Sequence, residues 1–234
     1  MRPALLLCCL YLTGCASAPS HYSNPKDPLE SFNRGVYAFN DTLDRAVVKP
    51  VARGYVAAVP SPARTMVNNF FSNLDDVVVT VNDLLQLKFK QAASDGSRVL
   101  FNTTFGVFGL IDIAHRLPKH KEDFGQTMGY WGVPSGPYLM LPVLGPSSFR
   151  DGPGRYADSF VSVIANTDHV PTRNTAWAVE GVNTRANLLE GEKVMDEAVI
   201  DRYSFIRDAY LMRRQNLVYD GSPPRVKYEE EDEE

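Results

Sequence analysis

The segment from Asp123 to Gly154 constrains the fold of this 234-residue chain more than any other. It reads DFGQTMGYWGVPSGPYLMLPVLGPSSFRDGPG, with a glycine or a proline every few residues. Helices do not persist through such a density of breakers, so we predict an ordered, irregular segment with a short hairpin around residues 134–136. Its aromatic and aliphatic content is too high for a solvated loop. The regular structure is therefore expected on either side of this segment.

The region before it is expected to be helical. Asp27 is a candidate N-cap with Pro28 at the first helical position, and together they open an amphipathic helix that runs to about Val47. Its apolar residues recur at spacings of three and four: Leu29, Phe32, Val36, Phe39 and Leu43.

Further helices are predicted both before and after the irregular segment. Pro50 predicts a break, followed by a short helix to near Pro60. Helical rhythm then continues from Ser61 to Leu87, although the valines at 77–79 would also suit a strand, and again from Ala92 to Leu110. After the segment, helices are predicted at Arg155–Ile164, Thr175–Leu189 and Glu192–Val218. The fold class is therefore mostly α.

The N-terminus resembles a lipoprotein signal. Arg2 precedes an apolar run from Ala4 to Leu12, which is shorter than the roughly 20 residues that a bilayer crossing needs. The run ends in Leu-Thr-Gly-Cys at Cys15, which looks like a bacterial lipobox. Cleavage before Cys15 would leave an acylated N-terminal cysteine, and several acyl chains on one residue anchor a protein stably. The alternative is a plain secreted protein with a chance cysteine.

These features predict four parts of the chain. Residues 1–14 form a lipoprotein signal peptide, residues 15–26 a lipidated tether, residues 27–221 a helical domain, and residues 222–234 an acidic tail. The tail ends in YEEEDEE, and such a block of like charge is normally disordered, with an interaction tail as the alternative. No segment after the signal is apolar enough for a transmembrane helix, so the chain would enter a bilayer sideways or part way.

Composition argues against several functions. The formal net charge of −4 gives no electrostatic support for nucleic-acid binding. Once the signal is removed, Cys15 is the one cysteine that remains, which excludes an internal disulfide. The four histidines do not have zinc-site spacing, and neither a nucleophile elbow nor a phosphate-binding loop is present. We therefore predict no enzymatic activity, no metal and no cofactor besides the lipid on Cys15.

Two blocks carry a family resemblance. They are DPLESFNRGVYAFND at residues 27–41 and EDFGQTMGYWGVPSGPYLMLPVLGPSSFRDGPG at residues 122–154. With FFSNLDDVVVTVNDLLQLK and DRYSFIRDAYLMRR, they make the whole mature chain similar to the MlaA family, also called VacJ, of Gram-negative outer-membrane lipoproteins.

The resemblance implies both a fold and a function. Amphipathic helices would lie in the membrane plane, in the inner leaflet of the outer membrane, and form a ring around a channel with a polar wall. The protein would associate with trimeric porins, remove phospholipids misplaced in the outer leaflet, and pass them to the soluble periplasmic carrier MlaC. This would preserve the lipid asymmetry of the outer membrane.

Candidate functional residues lie in the irregular segment and at its end. Gly129, Gly132 and Gly136 are possible hinges beside the channel, with a rigid turn region as the equal alternative. Four charged residues are candidates for headgroup contact, with helix capping or pairing with one another as the alternatives: Asp123, Arg150, Asp151 and Arg155. Tyr130, Trp131 and Tyr138 suit either an interfacial belt or core packing.

Two other functions stay open at this point. An enzyme acting on envelope lipid or glycan would need a nucleophile with a base in reach, and no serine or histidine stands in a recognised setting. A structural outer-membrane lipoprotein or porin accessory without transport activity would use the same residue types as a transporter.

Overall fold

The computed structural model describes residues 24–224, except for the side chains of residues 193–198. The predicted signal peptide, Cys15, most of the tether and most of the acidic tail lie outside these residues. The elements are α1 (Glu30–Leu43), a π-helical turn (Asp44–Val48), α2 (Lys49–Ala58), α3 (Ser61–Leu85), α4 (Phe89–Thr104), α5 (Phe124–Tyr130), β1 (Tyr138–Leu141), β2 (Gly145–Ser148), α6 (Asp151–Asp158), α7 (Val170–Ala198) and α8 (Arg202–Val218). The predicted mostly α fold is confirmed.

The break predicted at Pro50 is wrong. The chain stays helical from α1 through the π-helical turn into α2, and Pro50 lies in the first turn of α2. A proline inside an α-helix clashes with the carbonyl four residues earlier. The wider π-helical turn directly before Pro50 supplies a local change in helix geometry, so the helix continues without a stop.

The predicted cap at Asp27 is also wrong. Helix α1 begins only at Glu30, and Asp27 is buried. Its carboxylate accepts hydrogen bonds from Asn33 Nδ2 at 2.8 Å and from the Tyr203 hydroxyl at 2.5 Å. Asp27 therefore joins α1 to α8 instead of capping α1.

Helices α3 and α4 form an antiparallel hairpin. The valines at 77–79 are helical, because α3 runs without interruption from Ser61 to Leu85. Helix α4 ends at Thr104, six residues before the predicted Leu110. Three successive residues with positive φ then turn the chain: Val107, Phe108 and Gly109. A side chain at Gly109 would lie 2.8 Å from Asn73 Cβ, so the close approach to α3 requires glycine there.

The irregular segment is more regular than predicted. It contains helix α5, and its hairpin lies at residues 138–148 instead of 134–136. In the antiparallel pair, Tyr138 faces Ser148 and Leu141 faces Gly145. The turn places Val143 and Gly145 at positive φ. Sequence patterns missed α5 because its glycines face close neighbours instead of ending the helix.

The C-terminal helices begin and end at different residues from those predicted. Helix α6 begins at Asp151 and ends at Asp158, and α7 extends from Val170 to Ala198, through Glu192. Helix α8 begins at Arg202, because the Asp201 side chain caps it by accepting hydrogen bonds from the backbone of Tyr203 and Ser204.

The apolar core of the described residues is small. Its fully buried members are Tyr138, Met140 and Tyr203, where β1 meets α8. Tyr203 makes edge contacts with the rings of Tyr37 and Tyr138, at centroid distances of 5.8 and 6.2 Å. Of the two alternatives for Tyr138, core packing is therefore the observed one.

Polarity is inverted over much of the molecule. Helix α1 is amphipathic as predicted. However, Phe32 and Phe39 of its apolar stripe lie on the outside, while Asn33 is buried. The turn after α4 exposes 72% of Phe105 and 73% of Phe108. Such exposed apolar surface marks contact with a membrane or another protein. Among the helices within residues 24–224, none combines the length and apolar content that crossing a bilayer requires.

Candidate functional site: a charged cavity ringed by helices

A cavity of about 310 Å³ opens among α3, α5, α6 and α8. Its volume is at the lower end of the about 300–1,000 Å³ that small-molecule sites occupy. The wall is mostly ionisable, and the side chains that define its chemistry are Asp75 on α3, Asp123 before α5, Asp151, Arg155 and Asp158 on α6, and Arg214 on α8.

Arg214 organises one side of the cavity. Its guanidinium donates hydrogen bonds to both carboxylate oxygens of Asp123 and, over 2.9 Å, to Asp151 Oδ1. The Tyr210 hydroxyl donates to the other Asp151 oxygen at 2.7 Å. Burial alone would raise the pKa of both carboxyls, but Arg214 outweighs it and lowers them. These two aspartates therefore stay ionised, and their charge is compensated within the wall.

Asp158 lies in a different environment. Its carboxylate accepts hydrogen bonds from Asn82 Nδ2 at 2.9 Å and from the Phe124 backbone N–H at 3.1 Å, but it has no cationic partner among the described residues. Burial, with the negative charges of Asp123 and Asp75, raises the pKa of Asp158 to about 6. This carboxyl is poised to interact with an incoming cation.

Asp75 is the second carboxylate without an ion pair. It forms no hydrogen bond or ion pair within residues 24–224, and its exposed surface faces the cavity. Burial raises the pKa of Asp75 and the charge of Asp76 adds to this effect, against the opposing charges of Lys119 and Lys121. The pKa of Glu180 on α7 is raised by burial and by the charge of Asp75. Helix α7 therefore brings a further carboxylate close to the same space.

Three cations of the wall also lack carboxylate partners in the described structure. They are Lys121, Arg155 and Arg213, and all three are exposed. Arg155 donates one hydrogen bond to the Leu144 carbonyl at 3.1 Å, which leaves most of its donors available. The cavity thus holds charges of both signs that form no ion pair among the described residues.

Close backbone packing lets α5 and α6 frame the cavity. A side chain at Gly154 would lie 2.6 Å from the backbone nitrogen of Gly125. One at Gly125 would lie 2.6 Å from Asp151 Oδ1 and 2.8 Å from a guanidinium nitrogen of Arg214. Only glycine at both positions lets the two helices cross at this distance and lets Arg214 reach its carboxylates.

A second buried cluster lies between α3 and α4. Asp83 is fully buried, and neither of its carboxylate oxygens has a hydrogen-bond partner in the described part of the chain. Burial, followed by the charges of Asp95 and Glu122, raises its pKa to about 7. Next to it, His120 Nδ1 lies 2.5 Å from Asp95 Oδ2.

The surface between α2 and α7 carries an apolar groove of about 410 Å³. Tyr55 lines it from α2, and Ala178, Val179 and Val182 line it from α7. Its lining has none of the charges that characterise the cavity.

Similarity to known proteins shows the family to which this chain belongs. A family model described as "MlaA lipoprotein" matches residues 25–217. The chain belongs to the MlaA lipoprotein family. This confirms the resemblance drawn from residues 27–41 and 122–154.

Two MlaA relatives illustrate the similarity. The "Intermembrane phospholipid transport system lipoprotein MlaA" of Escherichia coli (strain K12) is 37% identical over 226 residues, which cover 93% of this chain and 88% of the relative. The protein of the same name from Haemophilus influenzae is 32% identical over 224 residues, covering 92% and 89%.

A solved structure shows the same fold. It is described as "Structural basis for maintenance of bacterial outer membrane lipid asymmetry" and superposes with a TM-score of 0.73 at 34% identity. The match covers 82% of this chain and 98% of that one. The ring of helices expected from the MlaA resemblance agrees with this neighbour.

The charged residues predicted from the MlaA-like segment converge on one place. Asp123, Asp151 and Arg155 line the cavity. Arg150 lies behind the wall, where its Nε donates to Asp151 Oδ1 at 3.0 Å and its Nη1 to the Val133 carbonyl at 3.3 Å. Pairing between Arg150 and Asp151, one of the alternatives, is thus present.

The three predicted hinge glycines have different surroundings. Gly132 and Gly136 have φ of +90° and +66°, which suits turn positions that favour glycine. Gly129 lies inside α5, and a side chain there would come within 2.7 Å of an Arg150 guanidinium nitrogen and 2.9 Å of Val218. The hinge role therefore remains a proposal for Gly132 and Gly136, whereas the position of Gly129 indicates packing.

Sequence reasoning missed much of the cavity wall. Asp75 resembled an ordinary surface carboxylate beside Asp76, and Asp158 and Gln126 carried no motif. One usable signal was on α8, where Tyr210, Arg213, Arg214 and Leu217 recur at i, i+3, i+4 and i+7 and so share a face. A mostly charged stripe on a helix of a membrane-associated lipoprotein predicts a polar lining.

Proposed function

We propose that this lipoprotein removes mislocalised phospholipids from the outer leaflet of the outer membrane through a polar channel and passes them to a periplasmic carrier. Its relatives are named for intermembrane phospholipid transport. The proposal extends that activity to this chain, which would thereby maintain outer-membrane lipid asymmetry.

One observation carries the proposal most directly: the interior is charged and the exterior is apolar. The cavity wall contains Asp75, Arg155 and Arg213, while Phe105 and Phe108 are exposed on the outside. A phospholipid has the same division, with a charged headgroup and apolar chains. Burying an unpaired polar group in hydrocarbon costs several kcal/mol, and a polar lining removes this cost for the headgroup.

We further propose where the protein lies and what it contacts. Acylated Cys15 and the apolar exterior would hold it in the periplasmic leaflet of the outer membrane, with the helices in the membrane plane. Trimeric porins are the proposed partners within the membrane, and the soluble carrier MlaC is the proposed acceptor of the lipid.

We also propose that transport occurs without covalent chemistry. The charged groups of the wall are paired in salt bridges or face the cavity singly, and within residues 24–224 the lining includes no serine or cysteine. Among the described residues, no group of histidines and carboxylates is arranged to hold a metal ion. Lipid movement would then depend on the gradient and on partner proteins.

A cavity-blocking experiment tests the proposal. Processing leaves Cys15 acylated, so Leu217→Cys would provide a single free thiol at the cavity, and Met212→Cys would provide an exposed control on the same helix. Both variants are expressed in cells that lack the native gene and are treated with a bulky thiol reagent. Phospholipid in the outer leaflet is then measured by surface labelling.

We expect the reagent to raise outer-leaflet phospholipid to the level of the deletion strain for Leu217→Cys and to leave Met212→Cys at the wild-type level. If deletion of the gene leaves surface phospholipid unchanged but impairs porin assembly, the chain is a porin accessory and the transport proposal is wrong. Release of fatty acid from vesicles by the purified protein would instead support an enzyme.

A further inference from the structure

One wall of the cavity carries both hydrogen-bond acceptors and cationic side chains that have no ion-pair partner. Transport of lipids irrespective of their headgroup would not require this arrangement. The Asp75 carboxylate accepts no hydrogen bond within the described residues, and the Asp158 carboxylate accepts hydrogen bonds only from uncharged donors. Lys121, Arg155 and Arg213 have no carboxylate within salt-bridge distance in the same part of the chain.

An independent observation points to a ligand that donates hydrogen bonds. Gln126 lines the cavity, is only 2% exposed, and its carbonyl Oε1 has no partner within residues 24–224. The orientation of the amide is determined, because its Nε2 donates to Asp123 Oδ2 at 3.1 Å. A buried acceptor without a donor costs free energy, so a donor from a bound molecule is expected there.

We propose that the cavity selects phospholipids whose headgroup carries a primary ammonium, with Asp75, Asp158 and the Gln126 carbonyl as its acceptors. The phosphate of the same headgroup interacts with Arg155, Arg213 and Lys121. This rests on the proposed function and names the substrate class of that site.

The chemistry distinguishes three common headgroups. A primary ammonium has three N–H donors and a positive charge, so it can satisfy two carboxylates and one carbonyl together. A trimethylated ammonium has the same charge but no donor, and it leaves the Gln126 carbonyl unsatisfied. A glycerol headgroup offers hydroxyl donors without the positive charge, so Asp75 and Asp158 stay uncompensated beside a net anionic lipid.

Lipid retention by the full-length acylated protein tests this inference. The protein is placed in nanodiscs that contain equal amounts of phosphatidylethanolamine, phosphatidylglycerol and phosphatidylcholine with identical acyl chains. Lipid that stays bound on extraction is quantified by mass spectrometry. We expect about tenfold enrichment of the ethanolamine lipid over both others, which corresponds to about 1.4 kcal/mol. Equal retention of all three would overturn the inference.

Single substitutions separate recognition from folding. Asp75→Asn removes a charge without removing any hydrogen bond of the described structure, and we expect it to lower the enrichment several-fold. Adding Asp158→Asn should bring the ratio close to one. Glu190→Gln removes an exposed carboxylate of α7 outside the cavity lining and should leave the ratio unchanged. An unchanged ratio in Asp75→Asn protein with wild-type thermal stability would contradict the assignment.

Soluble competitors show which part of the lipid is recognised. Glycerophosphoethanolamine should displace the retained lipid better than glycerophosphocholine or inorganic phosphate. Equal displacement by inorganic phosphate would mean a site for anions only and would overturn the proposal. If the competitors fail to discriminate but the thiol reagent still blocks the Leu217→Cys variant, only the headgroup selection is refuted. A deletion strain with normal surface phospholipid refutes the proposed function itself.

Discussion

The inner and outer faces of α4 carry opposite chemistry. On the inner face, Arg98 is buried and donates to the Ala114 carbonyl at 2.9 Å and to Asp112 Oδ2 at 3.0 Å. On the outer face, Leu100 and Phe101 are exposed. In a water-soluble helix the apolar stripe faces the core. The comparison shows that α4 is amphipathic in the usual way but is inserted with its polar face inward.

The interior of the protein shows the same contrast at larger scale. The aromatic cluster of Tyr138 and Tyr203 is held by ring contacts and by burial of apolar surface. The cavity wall around Arg214 is held by ion pairs and hydrogen bonds. Ion pairs offset the cost of burying these charges, and breaking one pair leaves its remaining partners uncompensated.

The largest effect is therefore expected from removing Arg214. Arg214→Met leaves Asp123 and Asp151 without their main cationic partner, and it should lower the free energy of unfolding by about 3–5 kcal/mol. Arg213→Met, the adjacent exposed arginine, should change it by no more than about 0.5 kcal/mol. Denaturant unfolding in detergent micelles measures both. A loss below about 1 kcal/mol for Arg214→Met would mean that the wall is not held by its charge pairs.

The next effect concerns pH and Asp83. The pKa of this buried carboxyl is about 7 in the fold against 3.8 for an unperturbed aspartate, so between these values the folded protein binds one proton more than the unfolded chain. Stability should therefore fall as pH rises through this range, by up to about 1.4 kcal/mol per pH unit. Above about pH 7 this contribution levels off. Lys88, Asp95, His120 and Glu122 influence the same carboxyl.

Asp83→Asn isolates that slope, because asparagine is neutral at every pH and has nearly the same shape. Between pH 4 and 7, we expect the stability of the variant to lack the decrease that results from one bound proton. At pH 8, the variant should be more stable than the wild type. The melting temperature measured across pH 4–8 provides the comparison. Parallel curves for the two proteins would show that Asp83 does not titrate in this range.

The smallest effect on stability is expected on the outside. Phe105→Ala and Phe108→Ala remove rings that are already mostly exposed, so each should change the free energy of unfolding in detergent by no more than about 0.5 kcal/mol. The same rings should matter for membrane contact, since burying a phenylalanine contributes about 1.5–3 kcal/mol. Vesicle sedimentation of the unacylated chain, produced without residues 1–15, should show weaker binding for both variants. Unchanged sedimentation would place these rings away from the bilayer.

Several local elements were predictable from spacing alone. The repeat of Leu29, Phe32 and Val36 predicted α1, and the helical rhythm from Ser61 predicted α3, since helix periodicity depends on residues within a few positions of one another. The motif blocks identified the family and, with it, the ring of helices. Asp123, Asp151 and Arg155 were candidates because they lie in those blocks.

Other features depended on contacts that no local pattern records. Helix α5 survives a glycine-rich sequence because Gly125 and Gly129 meet Asp151 and Arg150 from another helix. Asp27 looked like a cap, but its partners are Asn33 and Tyr203, the latter 176 positions away.

The sequence by itself determined that this chain forms amphipathic helices around a segment rich in glycine and proline, because periodicity and breakers act over short distances. Only the tertiary structure decided which face of each helix points inward and that Asp75, Gln126, Asp158 and Arg213 share one cavity. Periodicity shows that a helix has two faces, but the face that is buried depends on what the other helices and the surrounding solvent offer it.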